Sequence, residues 1–306
     1  MQTRRSFFKK MAIGGGLLSL NSFPFQALAA ASEFTLTILH TNDTHSRLEP
    51  FSLDDKKFPG QGGIVARATA IEEIRKSQKH VLLLDAGDIF QGTPYFNEYK
   101  GEPEMKAMSM MGYDCATMGN HDFDLGVEGF LKQMPHANFP FVVSNYDFGK
   151  SALNKKIKRY ITVNKGPLKI GIFGLGVQLY GLVPKENYQG IWYNDPIATA
   201  IDVVEELRKK EKCDMVICLS HLGFEYEGKK VSDKVLAANT QGIDLIIGGH
   251  THTFLDEPVM VNNRLGKPVM INQVGWAGLR LGRIDFVFSH KKVIKNSKAN
   301  TVILTK

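Results

Sequence analysis

The sequence predicts an α/β fold with mixed β-sheets, compatible with two sheets packed together. Short apolar, β-rich runs alternate with stretches of helical spacing from Phe34 onward, the pattern of sheet strands joined by helices. Two pairs of strand-like runs lack a crossover helix between them and so break strict βαβ alternation. The 306 residues, 43% of them hydrophobic, can bury a large core, and ~250 residues still fit one α/β domain.

In chain order, the predicted strands are Phe34–Leu39, Val81–Asp85, Cys115–Met118, Phe139–Ser144, Met215–Ser220, Ile243–Ile247 and Val269–Gln273. Apolar residues at Ile64, Ala68, Ile71 and Ile74 predict a helix after the first strand. A second helical set, Ile197, Ala200, Ile201, Val204 and Leu207, is opened by Asp195-Pro196. That dipeptide places a capping carboxylate before a proline whose missing N–H costs nothing at the first helical position. The hairpin-like pairs are Ile161–Val163 with Lys169–Phe173, and Leu281–Phe288 with Thr301–Leu304. Between the last two, the Lys/Asn/Ser-rich segment from Lys291 to Asn300 reads as a polar connection. Phe90, Tyr95, Phe96 and Tyr180 read as core packing in preference to pocket lining.

The N-terminus reads as an address. Thr3-Arg4-Arg5-Ser6-Phe7-Phe8-Lys9 resembles a twin-arginine export motif, a Gly-rich apolar stretch follows, and Ala27-Leu28-Ala29 resembles a cleavage site. The expected organisation is a signal peptide over residues 1–29 and a catalytic domain over 30–306, exported to the periplasm. An amphipathic first helix or an uncleaved anchor is the alternative. Cleavage near Ala29 removes Arg4, Arg5, Lys9 and Lys10 and no acid, which lowers the net charge from +7 to +3. So small a balance argues against a nucleic-acid partner, and no later apolar run approaches the ~20 residues that span a bilayer. Cys115, Cys213 and Cys218 form no CxxC pair, so the fold is expected not to depend on disulfides.

Five short motifs carry the chemistry, and four directly follow an apolar strand: Thr41-Asn42-Asp43-Thr44-His45, Asp85-Ala86-Gly87-Asp88, Gly119-Asn120-His121-Asp122-Phe123-Asp124, Ser220-His221 and Gly248-Gly249-His250-Thr251-His252. Side chains just beyond the carboxyl ends of strands converge on one crevice in α/β sheets. Alone, Asp-x-His reads more readily as a turn aspartate beside a surface histidine, Gly-Asp as a turn, and His221 as a satisfied core histidine. Gly-Asn-His-Asp is harder to justify as packing. Gly-Gly-His-Thr-His is stronger still, because its glycines permit close backbone approach and His-x-His puts both rings on one side. Together, Asp43, His45, Asp88, Asn120, His221, His250 and His252 offer carboxylates, an amide oxygen and imidazoles, a set suited to Zn, Mn, Fe or similar divalent ions. Seven ligands are enough for two ions if one carboxylate bridges. Two ions ~3.5–4 Å apart can clamp the attacking and leaving oxygens of an in-line displacement.

The order DxH, GDxFQGTP, GNHDFD, SHLG and GGHTH resembles the calcineurin-like metallophosphoesterases, in particular their bacterial 5′-nucleotidase and UDP-sugar hydrolase branch. Asp88-Ile89-Phe90-Gln91-Gly92-Thr93-Pro94 points to that branch, and the resemblance runs from about Thr35 to Val287. It implies a four-layer αββα sandwich of two mixed sheets flanked by helices. It also implies Asp43, His45, Asp88 and His252 around one metal ion, and Asp88, Asn120, His221 and His250 around the other. His121 would contact the phosphate and help the leaving group, oriented by Asp124. A helix N-cap role is the simpler alternative for Asp124.

The implied activity is phosphomonoester hydrolysis on a small nucleotide-like substrate. The alternatives are phosphodiester hydrolysis of cyclic nucleotides or UDP-sugars, or a non-enzymatic metal-bound subunit. Relatives on this branch carry a C-terminal substrate domain beyond the region matched here. The expectation is therefore a catalytic half whose specificity domain comes from a separate partner chain, or whose substrate is different or smaller.

Overall fold

The computed structural model describes residues 33–305. The expected signal peptide over residues 1–29 lies outside them. Strand β1 (Phe34–Thr41) is followed by helix α1 (Ile64–Ser77), β2 (Val81–Asp85), α2 (Pro94–Tyr99), α3 (Glu102–Met111) and β3 (Cys115–Ala116). Then come α4 (Gly126–Gln133), β4 (Tyr146–Asp147), β5 (Tyr160–Lys165), β6 (Leu168–Leu175) and β7 (Trp192–Tyr193). Helix α5 (Pro196–Glu205) and β8 (Met215–Ser220) precede α6 (Asp233–Asn239) and β9 (Leu245–Gly248). The chain closes with β10 (Val259–Asn262), β11 (Pro268–Asn272), β12 (Arg280–Phe288) and β13 (Ile294–Ile303).

The strands form a five-stranded sheet ordered β13-β12-β1-β2-β3, a six-stranded sheet ordered β10-β11-β9-β8-β6-β5, and a small β4-β7 pair. Both large sheets are mixed. In the first, β1, β2 and β3 run parallel; in the second, β6, β8, β9 and β11 do. The period of two along each strand builds the layers. Leu36, Ile38, Leu82 and Leu84 face Ile170, Ile172, Ile217 and Ile247 in an apolar layer between the two sheets. The opposite faces of the same strands, with Leu39, Val81 and Leu83, pack against α1 and α3 through Ile71, Met105 and Met108. Val216, Cys218 and Ile246 pack against α5 and α6 through Val203, Val204 and Leu236. The result is the four-layer αββα sandwich.

Helix α5 begins as its sequence predicts: the Asp195 carboxylate accepts the Ala198 N–H at 2.7 Å and Pro196 takes the first turn. Helix α1 starts at Gly63, where φ is 88° and an added Cβ would lie 2.8 Å from the Pro50 nitrogen. All three cysteines are buried free thiols. Among the described residues no helix is long and apolar enough to cross a membrane.

Three expectations are corrected. Phe139–Ser144 is not a strand: it makes only the bridges Ala116↔Phe141 and Val142↔Lys158, because it crosses the seam where short β3 ends. The Ser144 N–H already reaches Gly174 of the second sheet, at 2.8 Å. The segment from Lys291 to Asn300 is no mere connection, since most of it belongs to β13, paired with β12 through Asp285↔Lys298 and Arg283↔Asn300. At a sheet edge the backbone ladder alone fixes the strand, and polar side chains guard it against further pairing. Of the four aromatics, Phe90 and Phe96 are core, but Tyr180 is 81% exposed on the loop after β6 and Tyr95 bonds Glu49 at 2.6 Å.

Candidate metal centre

The five motif loops leave the carboxyl ends of β1, β2, β3, β8 and β9 and meet at one edge of the sandwich. Backbone hydrogen bonds knit them. Asp43 N–H donates to Gly87 at 2.9 Å, His45 N–H to Asp88 at 3.1 Å, and Ser46 N–H to Ile89 at 2.9 Å. Asp43, His45, Asp88, His250 and His252 all have positive φ, between 49° and 73°. Such backbone costs roughly 1–3 kcal/mol per residue and persists where the surroundings hold a functional geometry. Glycine is required at two neighbours for space alone. A Cβ on Gly119 would stand 2.1 Å from Asp88 Oδ1, and one on Gly249 would stand 2.9 Å from both Ala86 O and His221 Nδ1.

Two groups of ligand atoms result, Asp43–His45–His252 and Asp88–His221–His250, each with its atoms within 4.8 Å of one another. Asp88 Oδ2 lies 3.1 Å from His221 Nε2 and 3.9 Å from His45 Nε2, between the two groups. Asp43 Oδ1 lies 3.4 Å from His252 Nε2 and 4.0 Å from His221 Nε2. Asn120 is buried on the adjoining loop. The fold therefore brings six of the seven sequence-predicted ligand residues into these two groups, and Asn120 precedes His121, whose N–H donates to Asp88 Oδ1 at 2.8 Å.

The donor chemistry fits divalent cations. His45 Nδ1 faces the Phe90 and Gln91 carbonyls at 3.2 and 3.1 Å, and His221 Nδ1 faces the Ala86 carbonyl at 2.7 Å. Carbonyls only accept, so Nδ1 carries the proton and Nε2 presents a lone pair to the centre. Asn120 Oδ1 is buried without a hydrogen-bond partner, and His221 Nε2 has only the Asp88 carboxylate, 3.1 Å away. Orphans of this kind cost ~1–3 kcal/mol each unless something else satisfies them. Burial alone would strip the proton from His221, but Asp88 and then Asp43 lift its pKa to about 10. Burial likewise works to raise the Asp88 pKa, yet His221 and His45 hold it well below the usual carboxylate range. The pocket calls for positive charge between its carboxylates, and a cation supplies it. Burial and the neighbouring His221 lower the His250 pKa to about 4, leaving its ring neutral and able to ligate.

Beside these groups stands His121, with its ring centroid 5.3 Å from that of His45. Its Nδ1 bonds Asp124 Oδ2 at 2.9 Å, and its side chain keeps 36% exposure. The hydrogen bond to Asp124 raises the His121 pKa and outweighs burial, with Asp88 adding to the effect. Asp124 is not the N-cap of α4: Leu125 takes that position, and no side chain caps the helix.

Sequence reasoning passed over the residues that hold the loops. The Asp122 carboxylate accepts the backbone N–H groups of Asp88, Ile89, Phe90 and Gly119 at 2.8–3.2 Å. Asn42 donates to Asp43 Oδ2 and to Gly275 O, both at 2.6 Å, and accepts from Val274 N–H at 3.0 Å. Both residues lie inside the motifs, but residue type alone does not separate a loop anchor from a ligand.

Comparison with known proteins agrees with this architecture. The family model for calcineurin-like phosphoesterases matches residues 36–254. A snake venom 5′-nucleotidase from Gloydius brevicauda is 36% identical over 304 residues, covering 90% of this chain and 49% of that protein. The trifunctional nucleotide phosphoesterase protein YfkN of Bacillus subtilis is 34% identical, covering 88% of this chain and 19% of its own. The crystal structure of a 5′-nucleotidase precursor from Thermus thermophilus superposes with a TM-score of 0.81 at 31% identity, over 89% of this chain and 55% of that one. This chain thus spans about half the length of the snake venom enzyme. On its motifs, its layers and these matches, the chain belongs to the calcineurin-like phosphoesterase family.

Proposed function

We propose that the chain is a metal-dependent phosphoester hydrolase, a 5′-nucleotidase-like phosphomonoesterase. The observation that carries this reading is the meeting of two three-residue ligand groups beside the His121–Asp124 pair. Two divalent cations, with Zn, Mn or Fe suited to these donors, supply Lewis acidity toward phosphoryl oxygens and acidify water when bound. In this reading Asp43, His45, Asp88 and His252 hold one ion, and Asp88, Asn120, His221 and His250 hold the other. His121 acts on the substrate itself. With Nδ1–H directed to Asp124, its Nε2–H is free to bond the phosphoryl group and to pass its proton to the departing oxygen. The bond from phosphorus to the leaving oxygen breaks, a bond to the water oxygen forms, and the ring regains a proton from solvent.

A nucleotide substrate is supported by the names of the relatives. A second reading, phosphodiester hydrolysis of cyclic nucleotides or UDP-sugars, rests on the resemblance of the motifs, and the match to a trifunctional nucleotide phosphoesterase is compatible with it. The relatives' additional length is consistent with a substrate domain that a partner chain could provide. We further read residues 1–29 as a twin-arginine-type signal to the periplasm and residues 30–306 as the catalytic domain, a reading carried by the sequence motifs.

The test is hydrolysis of AMP, 2′,3′-cyclic AMP, UDP-glucose and an aryl phosphate with Mn or Zn supplied. AMP is expected to be the best substrate. His121→Ala is expected to lower kcat by roughly 10²- to 10⁴-fold with metal content unchanged. Wild-type turnover in that variant would remove His121 from the reaction. Failure on every ester would leave a metal-binding subunit in place of an enzyme.

A further inference from the structure

We infer that Trp276 is a positioning residue that holds the His252 imidazole in its cation-binding orientation, an inference that rests on the metal-centre reading above. The ligand histidines are not supported alike. His45 and His221 each have Nδ1 fixed by backbone carbonyls. His250 is packed edge-on against the His221 ring, with centroids 5.2 Å apart. His252 lacks the backbone support and shares only the edge-on kind, its ring meeting that of His45 with centroids 5.0 Å apart. Its side chain is 40% exposed, its Nδ1 makes no hydrogen bond among the described residues, and its Nε2 faces His45 Nε2 at 3.0 Å. What restrains the face of its ring is the Trp276 indole, stacked on it with centroids 5.7 Å apart and planes 10° from parallel.

The indole is itself fixed. Ala277 N–H donates to the Asp43 carbonyl at 2.7 Å and Gly275 N–H to Thr253 at 2.9 Å, so the backbone on both sides of Trp276 is tied to the two ligand loops. The Phe51 ring meets the indole edge-on at 6.1 Å, and the Arg47 guanidinium lies 4.1 Å over that ring. A side chain anchored to the residue whose carboxylate lies 3.4 Å from His252 Nε2 is well placed to set that ring's angle. Orienting groups around metal ligands are worth roughly 10- to 100-fold in metal affinity when removed.

The experiment uses the full chain, stripped of metal and titrated with Mn²⁺ or Zn²⁺ against a chelating dye that resolves the two binding events. Trp276→Ala is expected to weaken one event roughly 10- to 100-fold and leave the other in place. Trp276→Phe, which can still stack, is expected to recover most of the loss, whereas Trp276→Leu is not. Should the alanine variant fail to fold, the Phe–Leu comparison carries the test. The chain has two tryptophans and Trp192 is exposed, so Trp192→Phe isolates Trp276 emission. Paramagnetic Mn²⁺ is then expected to cause a saturable loss of that emission. Unchanged affinities in the alanine and leucine variants, or emission indifferent to Mn²⁺, overturn the role of Trp276. A wild-type chain that takes up no ion overturns the metal-centre reading instead.

Discussion

Asp122→Asn offers a quantitative test of how the centre is held together. Asp122 Oδ1 accepts the N–H groups of Ile89 and Phe90, and Oδ2 accepts those of Asp88 and Gly119. Asparagine keeps one oxygen and turns the other into an amide that faces two donors. Two buried N–H groups then lose their acceptor, at ~1–3 kcal/mol each, for a gross loss of about 2–6 kcal/mol. Removing a charge that burial, and then Asp88, disfavours returns part of this, so the net loss should be about 2–4 kcal/mol, a large share of the ~5–15 kcal/mol that holds a domain folded. Urea unfolding of metal-stripped protein, followed by circular dichroism, measures the loss directly. The same loops carry Asp88 and Asn120, so metal affinity should fall alongside. A stability change under ~0.5 kcal/mol, the usual surface-substitution scale, would refute the anchoring role.

Other perturbations separate further parts of the account. His40 is fully buried with Nδ1 unpartnered, and burial lowers its pKa from 6.5 to about 3, so it is neutral in the fold and protonated in the unfolded chain between those values. The unfolded chain then binds the extra proton, and stability should drop as pH falls from 6.5 toward 3, by on the order of 4–5 kcal/mol at the acid end. His40→Gln keeps an acceptor for the Asn272 amide, which lies 3.0 Å from His40 Nε2, and should flatten that acid limb in pH-dependent urea unfolding. An unaltered limb would assign the acid sensitivity elsewhere. Gly119→Ala puts a methyl group 2.1 Å from Asp88 Oδ1, so metal content by elemental analysis should fall sharply even in protein that remains folded. Full metal occupancy there would mean that the two loops are not clamped together.

Much of this centre was legible in the sequence because its chemistry and its position coincide. Carboxylates, an amide and imidazoles directly after apolar runs are expensive as packing and natural as ligands. The parallel strands then carry them to one edge, as Asp43, Asp88, His221 and His250 illustrate. What stayed hidden is what pairing decides. Strand β13 reads as a polar connection because an edge strand draws its hydrogen bonds from β12 and needs no apolar period. Phe139–Ser144 has strand composition but crosses between sheets, so its neighbours deny it a ladder. Asp122 differs from Asp88 only in where its oxygens point, toward four amides or toward histidines. Trp276 carries no ligand atom, and its stacking on His252 arises only when the loop after β11 folds back on the metal side.

Whether a pair of cations shares Asp88 is read from metal stoichiometry. Elemental analysis of purified chain, followed by titration of the stripped protein, should find two ions per chain. Asp88→Asn should impair both binding events, while His252→Ala should impair one. A single ion per chain, or an Asp88→Asn variant that binds two with wild-type affinity, would mean that Asp88 does not join two ions.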